Sequence, residues 1–169
     1  MKEIFHRSSV RSYEDKAIED EKIRRVLKAA MAAPSAGNQR PWEFYVVKDK
    51  ILLQALSKLS QYSDCLKDAP VGIVICYKNE GCKYQEYAPF DASCAAQNLW
   101  LEADILGLGA VWLGIAPYEK RMQEAREILN LPPNLSVLCI MAIGYPKTAH
   151  EQKERFDESK IHYIGKEKA

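Results

Sequence analysis

The chain has 169 residues, 47% of them hydrophobic and 28% charged, a balance that fits one globular domain with its own core. Lys and Arg number 24 against 23 Asp and Glu, a formal charge of +1, which gives no support for a nucleic-acid or membrane-surface partner and leaves any basic site to a local cluster. The five cysteines form no CxxC and the three histidines lack metal-ligand spacing, so the expectation is a reducing cytoplasm, no disulfide framework and no metal site.

The first ten residues lack the apolar core of a signal peptide, and the longest apolar run, residues 135–144, is too short to cross a bilayer as a helix. Residues 18–33 place Ile23, Val26, Leu27, Ala30 and Met31 at helical spacing behind an acidic first turn, which predicts an amphipathic helix. A buried strand is expected over 43–47. A second helix follows over 48–59, with Leu52, Leu56 and Leu59 along one side. The β-branched run 69–78 predicts a central strand.

Residues 89–107 form the longest predicted helix, with Asp91 as N-cap candidate and Gly107 as its stop. Its Ala92, Ala95, Ala96, Leu99, Ala103 and Leu106 allow close packing, so a buried central helix is expected. A short strand over 109–115, a surface helix over 118–130 and a strand over 135–144 complete the body. The tail is polar until 161–165, which suggests an edge strand, and it is expected to lie on its own domain or on a partner subunit. Strands separated by helices make an α/β or α+β sandwich, read as a single domain over 1–169.

Common catalytic templates are missing: no GxGxxG after a strand, no Walker loop, no GxSxG and no HExxH. The informative stretch is HRSSVRSY, residues 6–13. In an extended segment Arg7, Ser9 and Arg11 face one way, and two guanidiniums with a hydroxyl suit a phosphate. A plain solvated basic terminus is the alternative. Lys153 and Arg155 either add charge to the same anion site or decorate a surface.

The stretch APSAGNQRPWEFYVV, residues 33–47, raises a second question. Pro34 ends a helix, and Ser35, Ala36 and Gly37 are small enough for the backbone to approach a flat ligand. Asn38 offers a donor and an acceptor to a heterocycle edge, or else is a turn residue. Trp42 suits core packing. The loop after strand 109–115, with Gly114 and Pro117, presents backbone groups to a ligand or is an ordinary turn.

Taken in order, RSSVRSY, AAPSAGNQRPWEFYVV, AAQNLWLEADILGLGAVWLG, MAIGYP and KERFDESKIHYI resemble the nitroreductase-like, FMN-dependent oxidoreductases over nearly the whole chain. The resemblance implies a three-layer α+β fold, with a mostly antiparallel central sheet and a buried central helix. It implies a homodimer with FMN in two interface clefts and a C-terminal extension that crosses to the partner. It puts Arg7 at the FMN phosphate with Lys153 and Arg155, Ser9 along the cofactor, and Arg11 nearer the pyrimidine. Pro34, Ser35, Ala36 and Asn38 would line the ring from the other subunit, and Leu113 and Gly114 would present backbone groups near flavin N5 and O4.

Ser8 stands where many relatives carry a second arginine, and Arg40 where a glutamine is frequent; both are counted with the site. The segment 79–89, which larger relatives build over the flavin, is brief. The implied activity passes a hydride from NADH or NADPH through flavin N5 to a nitroaromatic, quinone or similar conjugated acceptor in a ping-pong cycle. No side chain is expected to be catalytic, because the flavin carries the chemistry. The alternatives are an FMN-storing binder on the same fold, a specialised chemistry such as reductive dehalogenation or flavin cleavage, and a cofactor-free interaction domain.

Overall fold

The computed structural model describes residues 3–149 and 154–165. In chain order the main elements are α1 (Asp20–Met31), β1 (Trp42–Val47), α2 (Lys50–Leu56), β2 (Val71–Lys78), α3 (Ala88–Ile105), β3 (Gly109–Gly114), α4 (Glu119–Leu129) and β4 (Leu135–Gly144). Every predicted helix and strand of the body is present.

The ends follow local chemistry. Asp49 caps α2 by accepting from the Ile51 and Leu52 N–H groups. Asn130 ends α4 in the left-handed conformation, φ 49°, which asparagine tolerates better than most residues. The N-cap expectation for Asp91 is corrected: α3 begins at Ala88, with Pro89 in its first turn. Proline is pre-shaped for that position, so the helix starts before the aspartate, whose side chain does other work. Met31, placed on the apolar stripe of α1, is exposed.

The four strands form one antiparallel sheet in the order β1-β2-β4-β3. The inner strands β2 and β4 are covered on both faces, which is why they read as continuous apolar runs rather than alternating ones. Ile73, Ile75, Met141 and Ile143 pack under α1 and α3. Val74, Ile140 and Ala142 face the opposite layer, where α2, the 64–68 turn and α4 lie. The result is a three-layer α+β sandwich. Its central helix α3 buries Ala92, Ala95, Ala96, Leu99 and Ala103 completely; small side chains let helix and sheet approach closely.

Two irregularities position the functional segments. Between Ile75 and Cys76 the β2–β4 register slips, leaving Leu138 unpaired with β2. The Leu138 carbonyl accepts instead from Ile115 and Ala116 N–H at 3.1 and 2.9 Å, which fixes the turn that follows Leu113 and Gly114. At the outer edge of β3, the N-terminal segment adds a parallel bridge from Ser9 to Ala110. The edge strand expected at 161–165 is not formed: residues 161–163 join no ladder among the described residues. They leave Ile161 and Tyr163 exposed, and Ile164 is 98% exposed.

Candidate functional site

The N-terminal segment is fixed by its apolar members and presents its polar ones. Val10 and Tyr13 are buried, while Ser9 and Arg11 are exposed. The Val10 N–H donates to the Ala110 carbonyl at 3.0 Å. The Tyr13 hydroxyl lies between the Val10 and Ala142 carbonyls at 2.7 and 3.0 Å, and burial holds it protonated by pushing its pKa up.

Glycines make the fit possible. A Cβ on Gly109 would lie 2.6 Å from Val10 Cγ1, and one on Gly144 2.7 Å from the Tyr13 ring. The segment buries Val10 and turns Ser9 and Arg11 outward, as the alternation implies, whereas Arg7 is half-buried and does not share their exposure.

Arg7 lies half-buried with its guanidinium 4.1 Å from the centroid of the Trp100 ring. The Trp100 indole N–H donates to the Ala110 carbonyl at 3.1 Å, so one carbonyl ties the N-terminal segment, β3 and α3 together. The Arg7 pKa is lowered, first by burial and then by the charge of Arg155, with Asp104 opposing both. The charge of Arg155, from the opposite end of the chain, is thus felt at Arg7. An anion at Arg7 would offset that charge. Ser8, next to Arg7, is half-buried. Lys153 lies outside the described residues.

Arg11, Leu113 and Gly114 converge on a cavity of about 310 Å³, together with Tyr62, Trp112 and Arg121. No carboxylate lines it. It offers flat aromatic and peptide surface with positive charge at its rim, and Gly114 keeps the backbone approachable.

The loop 34–40 stands apart from that cavity, whose lining includes none of its residues. Pro34, Asn38 and Arg40 are exposed, and Ser35 and Ala36 are half-buried. Gly37, Asn38 and Arg40 all have left-handed backbones, with φ of 54°, 56° and 47°. Such conformations cost energy in non-glycine residues and concentrate at functional sites. The Ser35 hydroxyl accepts from Arg40 N–H at 3.0 Å, so it braces the turn. Asp91, on the first turn of α3, accepts from Ala36 N–H and from the Gln39 amide at 2.9 and 2.8 Å.

Trp100, Tyr62, Arg121 and the Asp91–Gln39 pair were not anticipated. Trp100 falls in a helix read as core, where an indole N–H that needs a partner was its one signal. Asp91 and Gln39 are 52 residues apart, and no local pattern announces such a pair.

The comparisons with known proteins agree with this geometry. The sequence model of the nitroreductase family matches residues 4–63 and 57–145. An Archaeoglobus fulgidus protein carrying the provisional name NADH dehydrogenase/NAD(P)H nitroreductase is 42% identical over 166 residues, covering 96% of this chain and 95% of that one. The structure of an FMN-dependent nitroreductase from Clostridium difficile superposes with a TM-score of 0.87 at 35% identity, over 94% of this chain and 95% of the other. A provisionally assigned nitroreductase from Desulfovibrio desulfuricans, solved in complex with FMN, gives a TM-score of 0.84 at 29% identity, over 98% and 96% of the two chains. The chain belongs to the nitroreductase family.

Proposed function

We propose that this protein is a homodimeric FMN-dependent oxidoreductase that takes reducing equivalents from NADH or NADPH and delivers them to a small conjugated acceptor. The observation that carries the reading is the convergence of Arg11 with Leu113 and Gly114 on one cavity, with Arg7 earlier on the same segment under the charge of Arg155. An anion site and a flat, cationic cavity are thereby linked by a few residues of one extended strand. The FMN complex of the Desulfovibrio relative supports the choice of cofactor.

The residues fit the group. A dianionic phosphate would offset the Arg155 charge felt at Arg7, and the Ser9 hydroxyl would add a donor to that end. Arg11 stands where a cation stabilises negative charge gained by the pyrimidine on reduction, which raises the cofactor's potential. Leu113 and Gly114, steered by the Leu138 carbonyl, offer main-chain groups to the ring edge. When bound, FMN supplies the hydride chemistry between donor and acceptor.

Pro34, Ser35, Ala36, Asn38 and Arg40 do not line the cavity of their own chain, as expected of a loop that completes the site of a second copy. The exposed Phe156, Tyr163 and Ile164 of the tail give that second copy something to cover. The acceptor lies in the class of nitroaromatics and quinones, planar molecules able to stack on the ring.

Arg7→Ala with Arg11→Ala tests the assignment. The expected result is loss of at least tenfold in FMN affinity, read by titration of flavin fluorescence, since each guanidinium contributes charge-assisted hydrogen bonds. Affinity equal to that of the wild-type protein would contradict it.

A further inference from the structure

The loop that carries Asn38 is held from behind by a group the reaction does not use. Asp91 is 5% exposed, and its carboxylate accepts from two loop donors, the Ala36 N–H and the Gln39 amide nitrogen. No cation pairs with it among the described residues. A carboxylate taken out of water survives only when such donors satisfy it. Gln39 spends the rest of its amide on the backbone of Tyr84: its nitrogen donates to the Tyr84 carbonyl at 3.0 Å, and its oxygen accepts from the Tyr84 N–H at 3.0 Å. One glutamine thus joins three pieces: the loop 34–40, the segment 82–87 and the first turn of α3.

Close packing reinforces this junction. A Cβ on Gly37 would lie 2.7 Å from the Tyr84 ring, so the loop sits directly against the segment. Left-handed Asn38 and Arg40 need surroundings that over-determine them, and the carboxylate supplies this by holding the residues on either side of Gly37 and Asn38.

We infer that Asp91 is a positioning residue of the cofactor site: through Gln39 it locks the 34–40 loop and the 82–87 segment into one unit, so that Asn38 meets the flavin ring edge in a single geometry. The inference rests on the FMN reading above. It assigns the carboxylate no contact with the cofactor and no part in proton transfer. It also gives the brief 79–89 segment a role, as a wall whose position the ring-lining loop dictates.

The test uses the full-length protein with Asp91→Asn, Gln39→Ala and the double variant Asp91→Asn/Gln39→Glu. Dissociation constants are measured for FMN and for riboflavin, with the flavin absorption spectrum and the thermal midpoint recorded alongside. In Asp91→Asn an amide faces the Gln39 amide donor, so the expected result is about a tenfold loss of affinity. The loss should be equal for FMN and riboflavin, because it acts on the ring and not the phosphate, and the absorption bands should shift. The double variant restores a donor–acceptor pair between positions 91 and 39 but gives the Tyr84 carbonyl no donor, so it should recover part of the affinity and not all of it.

Gln39 is half-exposed, so Gln39→Ala keeps the test alive if the aspartate variant does not fold. Wild-type flavin affinity and spectrum in folded variants, with a lowered thermal midpoint alone, would overturn the inference and make Asp91 purely structural. A wild-type protein that takes up no FMN would overturn the cofactor reading, and this inference with it.

Discussion

Gly109 shows how a single hydrogen atom controls the site. The N-terminal segment that carries Arg7 and Arg11 lies across the start of β3, and Val10 fills the space where a side chain at 109 would stand. Gly109→Ala would force Val10 and its neighbours to move, at a cost of about 1–3 kcal/mol by the usual scale of overpacking. The lower stability should appear in urea denaturation and be accompanied by weaker FMN binding, because the displaced strand takes both arginines with it. An unchanged denaturation midpoint would mean that Val10 does not depend on this contact. The outward turn of Ser9 and Arg11 around buried Val10 was legible in the sequence because it is local. Their anchors, Trp100 and the Ala110 carbonyl, come from distant segments and were not.

At the scale of elements, the junction of α1 with the end of β4 gives a pH-dependent prediction. The Tyr145 hydroxyl donates to Glu19 at 2.6 Å and accepts from Lys22 at 2.9 Å, and Lys16 lies 3.9 Å from the centroid of the Tyr145 ring. The hydrogen bond from Tyr145 is the largest influence holding the Glu19 carboxyl below its ordinary value of 4.5. A carboxylate favoured in the folded state adds stability above its unfolded pKa and loses it as pH falls through the folded one. Tyr145→Phe should therefore be less stable than wild type near pH 7. Their difference should shrink as the pH falls below about 4.5, as read by thermal melts across the acid range. A difference independent of pH would assign the effect to Lys22 or to packing.

All eight body elements could be read from the sequence: apolar runs marked the strands, apolar stripes marked α1 and α2, and small residues between punctuating residues marked α3. The errors have identifiable causes. Pro89 started α3 earlier than Asp91 suggested, freeing that aspartate for the loop 34–40. The tail had the composition of an edge strand, but composition cannot supply a neighbouring strand to pair with.

At the scale of the molecule, the single chain is incomplete in two places. Apolar residues of the tail are exposed, and the strained, clamped loop 34–40 takes no part in lining the Arg11 cavity. The proposed twofold dimer would answer both, the loop of one copy closing the cavity of the other. Sedimentation equilibrium should then give twice the chain mass of 19.2 kDa, and removal of residues 154–165 should weaken both the dimer and its hold on FMN. A monomer that keeps FMN at full affinity would contradict this assembly.

The most direct measurement of the whole account is the absorption spectrum of the purified protein from about 300 to 600 nm, the range of flavin bands. It is recorded after addition of FMN and again, without oxygen, after NADH or NADPH. The account predicts bound flavin bands that bleach with at least one of the two donors and return on addition of a quinone or nitroaromatic. Bands that persist with both donors would contradict the oxidoreductase assignment and leave a flavin-binding protein. A colourless protein after added FMN would contradict the cofactor site itself.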